Sequence, residues 1–265
     1  MDGTLLLIEK REKVCTLSFN RPERRNALSP ALLFQLADVL GSIQAEDQVR
    51  CLVIRGMGEK AFSAGYDIAD IPTEETPGTA EAVKAPNPLQ KGLQAILQFP
   101  YPVIAMINGV AYGAGCDLAS ACDIRIASDN ARLSMPPAKL GIVYHWEGYL
   151  RFINIVGLAN AKEMFLSGRA YTAARAKEMG LVNYVVPFDQ LESFTYEMAR
   201  EISENAPLSL SSGKKIMNAV LRYQSPAPEI AKEMDDLREQ AFRSEDVKEG
   251  QRAFMEKRKP VFKGR

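Results

Sequence analysis

Two short stretches of this chain carry small residues where backbone amides could be exposed, and a third gathers side chains able to move protons. The first is Phe62-Ser63-Ala64-Gly65-Tyr66-Asp67-Ile68. Gly65 can take a backbone conformation that other residues avoid, which lets the chain bend tightly and present the next N–H, that of Tyr66. The second runs Asn108-Gly109-Val110-Ala111-Tyr112-Gly113-Ala114-Gly115-Cys116-Asp117, where a strand pattern gives way to small residues and then to a helix. Free N–H groups at a helix N-terminus, aided by the dipole, favour a negatively charged oxygen. Two such turns facing each other would form a two-donor oxyanion hole. Taken alone, each also reads as an ordinary tight turn. The third stretch, Leu140 to Gly148, holds the only His and the only Trp of the chain together with a Tyr and a Glu. His145 is a natural acid or base near neutral pH. Tyr144 could donate a hydrogen bond or a proton, and Glu147 offers a carboxylate. Asp117 reads equally as a reactive carboxylate and as an acid settled in the positive first turn of its helix.

The elements around these stretches follow from periodicity. Thr4–Glu9, Lys13–Phe19 and Arg50–Arg55 read as strands, as do Pro102–Ile107, Asp123–Ala127 and Leu181–Val186. Ser29-Pro30 starts a helix whose Leu32, Leu33, Leu36, Val39, Leu40 and Ile43 recur at helical spacing. A helix is predicted over Leu89–Phe99, and a short one over Ala114–Ala121 is all that fits between two strands. Residues 72–88 are polar and Pro-rich, the composition of a surface loop or a frayed helix. From Asp189 onward the pattern is helical alone: Asp189–Asn205, Ser209–Tyr223, Glu229–Arg243 and Glu245–Arg258, the last capped by Ser244. Strand and helix repeats followed by helices imply an α/β core with a helical C-terminal layer.

Composition narrows the function. The chain has 265 residues, 46% hydrophobic and 25% charged, enough for one large domain with ample core. Lys+Arg and Asp+Glu balance at 33 each, and no basic stripe with interleaved aromatics is visible, so neither nucleic acid nor an anionic membrane is an expected partner. No apolar run approaches the roughly 18–20 residues that span a bilayer. The N-terminus lacks a basic segment before its four apolar residues, which argues against a signal peptide and for a cytoplasmic protein. Cys15, Cys51, Cys116 and Cys122 lie in apolar contexts without a paired motif and read as reduced core thiols. A lone histidine argues against a zinc site.

Together and in this order, FSAGYDI and INGVAYGAGCDLASACDIRIAS resemble the enoyl-CoA hydratase/isomerase (crotonase) family. RPERRNALS from Arg21, GLVNYVVP from Gly180 and AFMEKRKPVF from Ala253 extend the resemblance over the whole chain. It implies a spiral of ββα units followed by a helical region that packs subunits into homotrimers, often paired as hexamers. Residues 1–200 would form the spiral α/β core with the acyl-CoA site, and residues 201–265 the helical oligomerisation region. The substrate would be an acyl-CoA thioester, with no cofactor beyond the coenzyme A it carries and no metal. The resemblance assigns the oxyanion-hole amides to Tyr66 and Ala114. It places Arg25, Ala27 and Ala64 against CoA, and Phe254 and Lys257 at its adenine and phosphate end. Lys257 reads alternatively as a solvated charge.

The hydratases of this family work with two glutamates, and here Asp117 and Pro137 stand at those positions. Proline can neither give nor take a proton, so the two-carboxylate mechanism is not available. Tyr144, His145 and Glu147 are then the residues to replace the missing acid. Within the family, SMPPAKLGIVY and SEDVKEGQRAFMEKRKPVF resemble the methylmalonyl-CoA decarboxylase branch, which carries a Tyr at the place of Tyr144 and a His at that of Tyr66. Decarboxylation forms the enolate by loss of CO2 and needs no glutamate pair. The sequence thus predicts decarboxylation of a short alkylmalonyl-CoA. The alternatives are hydration or double-bond isomerisation through Asp117 with His145 or Glu147, and a CoA-ester binder without chemistry.

Overall fold

A computed structural model of the chain describes residues 4–68, 87–222 and 227–263. Its main sheet has six strands, β1 (Leu6–Arg11), β2 (Val14–Phe19), β3 (Cys51–Gly56), β5 (Val103–Ile107), β7 (Ile124–Ser128) and β10 (Tyr184–Val186), hydrogen-bonded in that order. Only β1 runs antiparallel to its neighbour. The parallel strands are apolar almost without interruption because both faces are covered. Cys15, Leu17, Leu52, Ile54, Val103, Ala105 and Ile107 face the principal core. The alternate residues Val14, Cys51, Val53, Ile104, Met106 and Ile126 face a second core completed by Leu191 and Ala199. Period-two alternation therefore sorts one apolar run into two layers.

The principal core is closed by α1 (Pro30–Glu46) and α2 (Pro88–Gln98). Ser29 caps α1 by accepting the Leu32 N–H at 3.3 Å, with Pro30 in the first turn, and Leu32, Leu33, Leu36, Leu40 and Ile43 are buried. Asn87 caps α2 in the same manner. Most of the predicted polar segment, residues 72–86, lies outside the described residues.

Each of β3, β5 and β7 then bends into a three-residue strand of a second sheet: β4 (Ala61–Ser63), β6 (Val110–Tyr112) and β8 (Arg132–Ser134), with β9 (Ala170–Thr172) antiparallel at the end. The sequence predicts none of these short strands, since three residues carry too little periodicity to register. Helix α3 (Ala114–Ala121) follows β6 at the predicted bounds. Helix α4 (Trp146–Ser167) was also not foreseen; Gly157, at φ 75° and ψ 160°, interrupts it and breaks the apolar pattern. After α5 (Ala173–Glu178), the strand predicted over Leu181–Val186 forms only at Tyr184–Val186. The Leu181 and Val182 N–H groups instead both bond the Ala176 carbonyl and close the end of α5.

The remaining helices are α6 (Leu191–Glu204), α7 (Pro207–Arg222), α8 (Pro228–Phe242) and α9 (Glu245–Met255). α6 crosses residue 200 and covers the outer face of the main sheet through Leu191 and Ala199. α7 is pinned by Lys214, whose ammonium, only 6% exposed, donates to Asp123 Oδ2 at 2.6 Å and to the Tyr101 carbonyl at 3.1 Å. Among the described residues no helix is long and apolar enough to cross a membrane. The four cysteines are free and buried. Burial raises their thiols, Cys15 to about 11 and Cys51 to about 12.

Removing one partner of a buried ion pair leaves the other uncompensated, at a cost of roughly 3–5 kcal/mol when burial is complete. Lys214→Met should therefore destabilise the chain by about 2–4 kcal/mol, read as a lowered urea midpoint, because Asp123 keeps some solvent contact. An unchanged midpoint would mean that α7 is held by apolar packing alone.

Candidate functional site

The loop after β2 organises one wall of the site. Asn26 is fully buried; its Nδ2 donates to the Met57 and Ala61 carbonyls at 3.0 and 2.8 Å, and its Oδ1 accepts the Arg21 N–H at 3.1 Å. The Arg21 guanidinium donates to the Ala27 carbonyl at 2.7 Å and to Asp67 Oδ2 at 3.0 Å. A parallel bridge joins Leu28 to Tyr66: the Leu28 N–H donates to Gly65 O at 2.8 Å and the Asp67 N–H to Leu28 O at 2.9 Å. The Ala64 N–H donates to Arg25 O at 2.9 Å. The bridge geometry turns the Tyr66 N–H to the side away from Leu28. The structure thus gathers Arg25, Ala27 and Ala64 beside Tyr66, with Arg25 and Ala64 exposed.

The N-terminus of α3 forms the facing wall. Gly113 precedes the helix at φ 49° and ψ −121°, a conformation that demands glycine. Ala114 is the first helical residue, so its N–H has no acceptor inside the helix. Gly115 permits the approach: a Cβ there would stand 2.6 Å from Ser63 O and 2.8 Å from Ser63 Oγ. Ser63 Oγ in turn accepts the Gly65 N–H at 3.2 Å. The turns bearing the Tyr66 and Ala114 amides therefore lie side by side.

One turn into α3, the Asp117 carboxylate has no exposed surface and collects donors from four side chains. Oδ2 accepts the Tyr144 hydroxyl at 2.7 Å and faces His145 Nε2 at 3.2 Å. Oδ1 accepts Arg151 Nε at 3.0 Å, with the Ser120 hydroxyl at 3.2 Å. Burial alone would push this carboxyl up, but the Arg151 charge and the His145 hydrogen bond outweigh it and hold the group well below the usual carboxylate range. Burial and the adjacent Asp117 charge push the Tyr144 hydroxyl well above its ordinary value, so it stays a neutral phenol. Arg151 is kept protonated against its own burial by the Asp117 charge.

His145 is both a member of this array and the N-cap of α4. Its Nδ1 accepts the Gly148 N–H at 3.0 Å, which requires a bare lone pair and assigns the proton of the neutral ring to Nε2, toward Asp117. Glu147 Oε2 stands 3.3 Å from the same Nδ1 and becomes its acceptor when the ring is protonated. Burial lowers the affinity of His145 for a second proton, but the hydrogen bonds to Asp117 and Glu147 raise it further, for a net upward shift. Burial likewise opposes ionisation of Glu147, and the His145 bond overrides it. The Tyr144 ring lies 4.4 Å from that of His145 and 5.7 Å from that of Phe165, and its N–H donates to the Tyr149 hydroxyl at 3.2 Å.

All four proton-moving candidates, Tyr144, Asp117, His145 and Glu147, thus come together. The sequence reading missed Arg151. An isolated charge inside the apolar helical run Tyr149-Leu150-Arg151-Phe152-Ile153 was its available signal, since such a residue is buried only when paired. Pro137 is buried in a single 3-10 turn, Pro137–Leu140. Against that turn packs α9, whose Gln251 donates to the Ile68 carbonyl at 3.1 Å. Ile68, Leu140, Ile142, Val247 and Gln251 line a small apolar pocket there. Phe254 and Lys257 are exposed on and just after α9. Among the described residues no hydrogen bond joins them to Arg25, Ala27 or Ala64.

A spiral of parallel strands bent between two sheets, with a helix N-terminus set against a glycine turn, defines the class of fold. The sequence model of the enoyl-CoA hydratase/isomerase family matches residues 9–265, and the chain belongs to that family. It is 36% identical over the whole of both chains to a putative enoyl-CoA hydratase/isomerase, YngF, of Bacillus subtilis. It is 32% identical to the methylmalonyl-CoA decarboxylase of Escherichia coli K12, with 95% of each chain covered. Among solved structures, a methylmalonyl-CoA decarboxylase in complex with 2-nitronate-propionyl-CoA superposes with a TM-score of 0.91 at 31% identity, covering 99% of both chains. An enoyl-CoA hydratase from Bacillus anthracis gives a TM-score of 0.76 at 34% identity, covering 99% of this chain and all of that one.

The Gly115–Ser63 contact has a direct test. Gly115→Ala forces a methyl into occupied space and should cost roughly 1–3 kcal/mol in chemical denaturation, the usual range for overpacking. It should also weaken acyl-CoA binding, by forcing the two amide-bearing turns apart. Wild-type stability and binding in this variant would show that the turns need not be so close.

Proposed function

We propose that this family member decarboxylates a short 2-alkylmalonyl-CoA such as methylmalonyl-CoA. The thioester oxygen sits between the Tyr66 and Ala114 amides. The bond from Cα to the substrate carboxylate breaks, its electron pair moves into the enolate, and CO2 leaves. The enolate carbon then takes a proton, giving the shortened acyl-CoA. Because the thioester itself accepts the electron pair, this chemistry calls for no cofactor beyond the coenzyme A of the substrate. Each oxyanion donor is worth roughly 3–4 kcal/mol of transition-state stabilisation.

The observation that carries this reading is the state of Asp117. Bound by Arg151, Tyr144 and His145, and held far down in pKa, its carboxylate is a poor proton acceptor. Hydration and isomerisation both need such an acceptor; decarboxylation does not. In this reading Tyr144, with its ring fixed by His145, Tyr149 and Phe165, turns its one hydroxyl proton from Asp117 Oδ2 to the substrate, where it orients the carboxylate or protonates the enolate. A thioester enolate carbon is a much stronger base than a phenolate, so the raised Tyr144 pKa does not prevent that transfer. His145, on the same Asp117 oxygen, is placed to resupply the proton, with Glu147 as its counter-ion.

Methylmalonyl-, ethylmalonyl- and crotonyl-CoA offered in parallel, with products followed by mass, test the reading. The malonyl thioesters should lose CO2, and crotonyl-CoA should hydrate at least ~100-fold more slowly than with a two-carboxylate enzyme. Tyr144→Phe should lower decarboxylation by roughly 10²-fold, the usual weight of one placed acid. Asp117→Asn, which keeps one acceptor for the phenol, should cost less. The reverse order would favour proton abstraction by Asp117, and tolerance of both changes with binding intact would favour a non-catalytic binder.

Arg25, Ala27 and Ala64 are proposed to hold the CoA near the thioester, and Phe254 and Lys257 its far end across a subunit boundary. Supporting such a boundary, α7 exposes Ile216, Met217 and Val220, and α8 exposes Ile230, Met234 and Leu237, each at helical spacing. These faces fit further copies of the chain in a homotrimer or a pair of trimers, in a cytoplasmic protein. Lys257→Ala should raise KM for CoA esters while leaving kcat nearly unchanged, since a remote phosphate contact is uniform binding. Sedimentation of the wild type as a single chain, or an unchanged KM, would remove the cross-subunit contact.

A further inference from the structure

We propose that Arg151 is a positioning residue that decides which reaction this site can perform: its guanidinium keeps Asp117 a bound anion, anchoring the Tyr144 phenol and withholding the carboxylate from proton abstraction. This rests on the decarboxylase reading and names the residue that enforces it. Asp117 belongs to α3 and Arg151 to the second turn of α4, so their 3.0 Å contact also ties together the two helices whose N-terminal ends build the site. Both are removed from water, Asp117 completely and Arg151 to 13% side-chain exposure.

The groups facing this array are few. Tyr144 and His145 meet Oδ2, Ser120 meets Oδ1, Glu147 meets the far side of His145, and the Cys116 thiol of α3 is kept neutral by burial. With His145 neutral, the Asp117 and Arg151 charges cancel. Without the guanidinium, the buried Asp117 anion must draw a proton onto His145 or onto itself. With that proton on His145, Oδ1 keeps only the Ser120 hydroxyl at 3.2 Å and can take a Cα proton from a substrate, the C–H electron pair passing to the thioester oxygen.

His145 is the only histidine in the chain, so its ring signals in a pH titration by NMR belong to one group. In the intact protein, Arg151→Gln should raise the His145 midpoint by about one unit, a tenfold gain in proton affinity, because a neighbouring like charge has gone. Arg151→Lys, which keeps the charge, should leave the midpoint within a few tenths of the wild-type value. Propionyl-CoA in D2O supplies a second readout. The wild type and the lysine variant should leave its α-hydrogens in place, and the glutamine variant should exchange them at least about tenfold faster. An unmoved midpoint in Arg151→Gln, an equal upward shift in Arg151→Lys, or rapid exchange by the wild type would each overturn the proposal. If the glutamine variant does not fold, a unit-sized upward shift of the His145 midpoint in Arg151→Lys or rapid exchange by the wild type still overturns the proposal. Failure of the wild type to decarboxylate any malonyl thioester, with the His145 shift intact, would instead overturn the functional reading alone.

Discussion

The close approach of the α3 N-terminus to Ser63 is the constraint on which the rest of this structure depends. It exists because β3, β5 and β7 each bend out of the main sheet into a second one, which lays β4 beside β6 and brings the segments that follow them into contact. Asn26, through the Met57 and Ala61 carbonyls, and Arg21, through the Asp67 carboxylate, tie the loop after β2 to the same place. No acidic or basic side chain is needed at the two amides themselves. The donors are backbone, their direction is set by secondary structure, and they cost little reorganisation when charge develops on a bound oxygen. In the proposed reading Ala114 serves as well as glycine would, because its side chain is not involved.

The second layer of organisation is electrostatic and hangs on one buried carboxylate. An unpaired Asp117 in this position would be protonated or would unfold its surroundings, since an isolated buried charge is far too costly to keep. Arg151 removes that penalty, and the carboxylate then acts as a clamp for the Tyr144 hydroxyl and His145 Nε2. Stability and chemistry are coupled here with a definite sign. Because Asp117 titrates below its unfolded value, its contribution to folding is complete above the ordinary carboxylate range. It is lost as pH falls through the folded value. His145 has the opposite sign, its shift being upward: what its proton adds is present in acid and lost as pH rises past the folded midpoint. Near neutrality the anion and guanidinium are both in place, and the array is intact.

How much of this was legible in sequence depended on the length scale of the signal. The apolar alternation of β2, β3 and β5 and the Ser29 cap extend over many residues; α1 starts at Pro30 as predicted, and α2 and α3 lie within a residue of their predicted bounds. The four-stranded sheet left no comparable trace, because its strands are three residues long and owe their existence to neighbours distant in sequence. Gly65 and Gly113 marked the amide turns because their positive φ demands glycine, and Gly115 because Ser63 leaves no room for a Cβ. Asp117, Tyr144, His145 and Glu147 were picked out by residue type, yet their convergence on one carboxylate was not readable, since α3 and α4 meet only in the fold. Arg151 went unremarked for the same reason: its partner lies on another helix.

The relatives at 31–36% identity include both decarboxylases and hydratases, so overall similarity does not choose between lysis and proton transfer. The choice is made by the free energy of a few groups. A base must have an open lone pair and a pKa near the working pH. The Asp117 carboxylate lacks both, and the Pro137 side chain supplies neither a donor nor an acceptor. In the proposed reading, what remains is a pair of amides suited to an enolate, beside a neutral phenol and a histidine that when neutral caps α4 through Nδ1 and when protonated turns that nitrogen to Glu147. Such a site is suited to a substrate that brings its own leaving group and forms the enolate without a base. A carboxylate carried on the α-carbon of a thioester has that property.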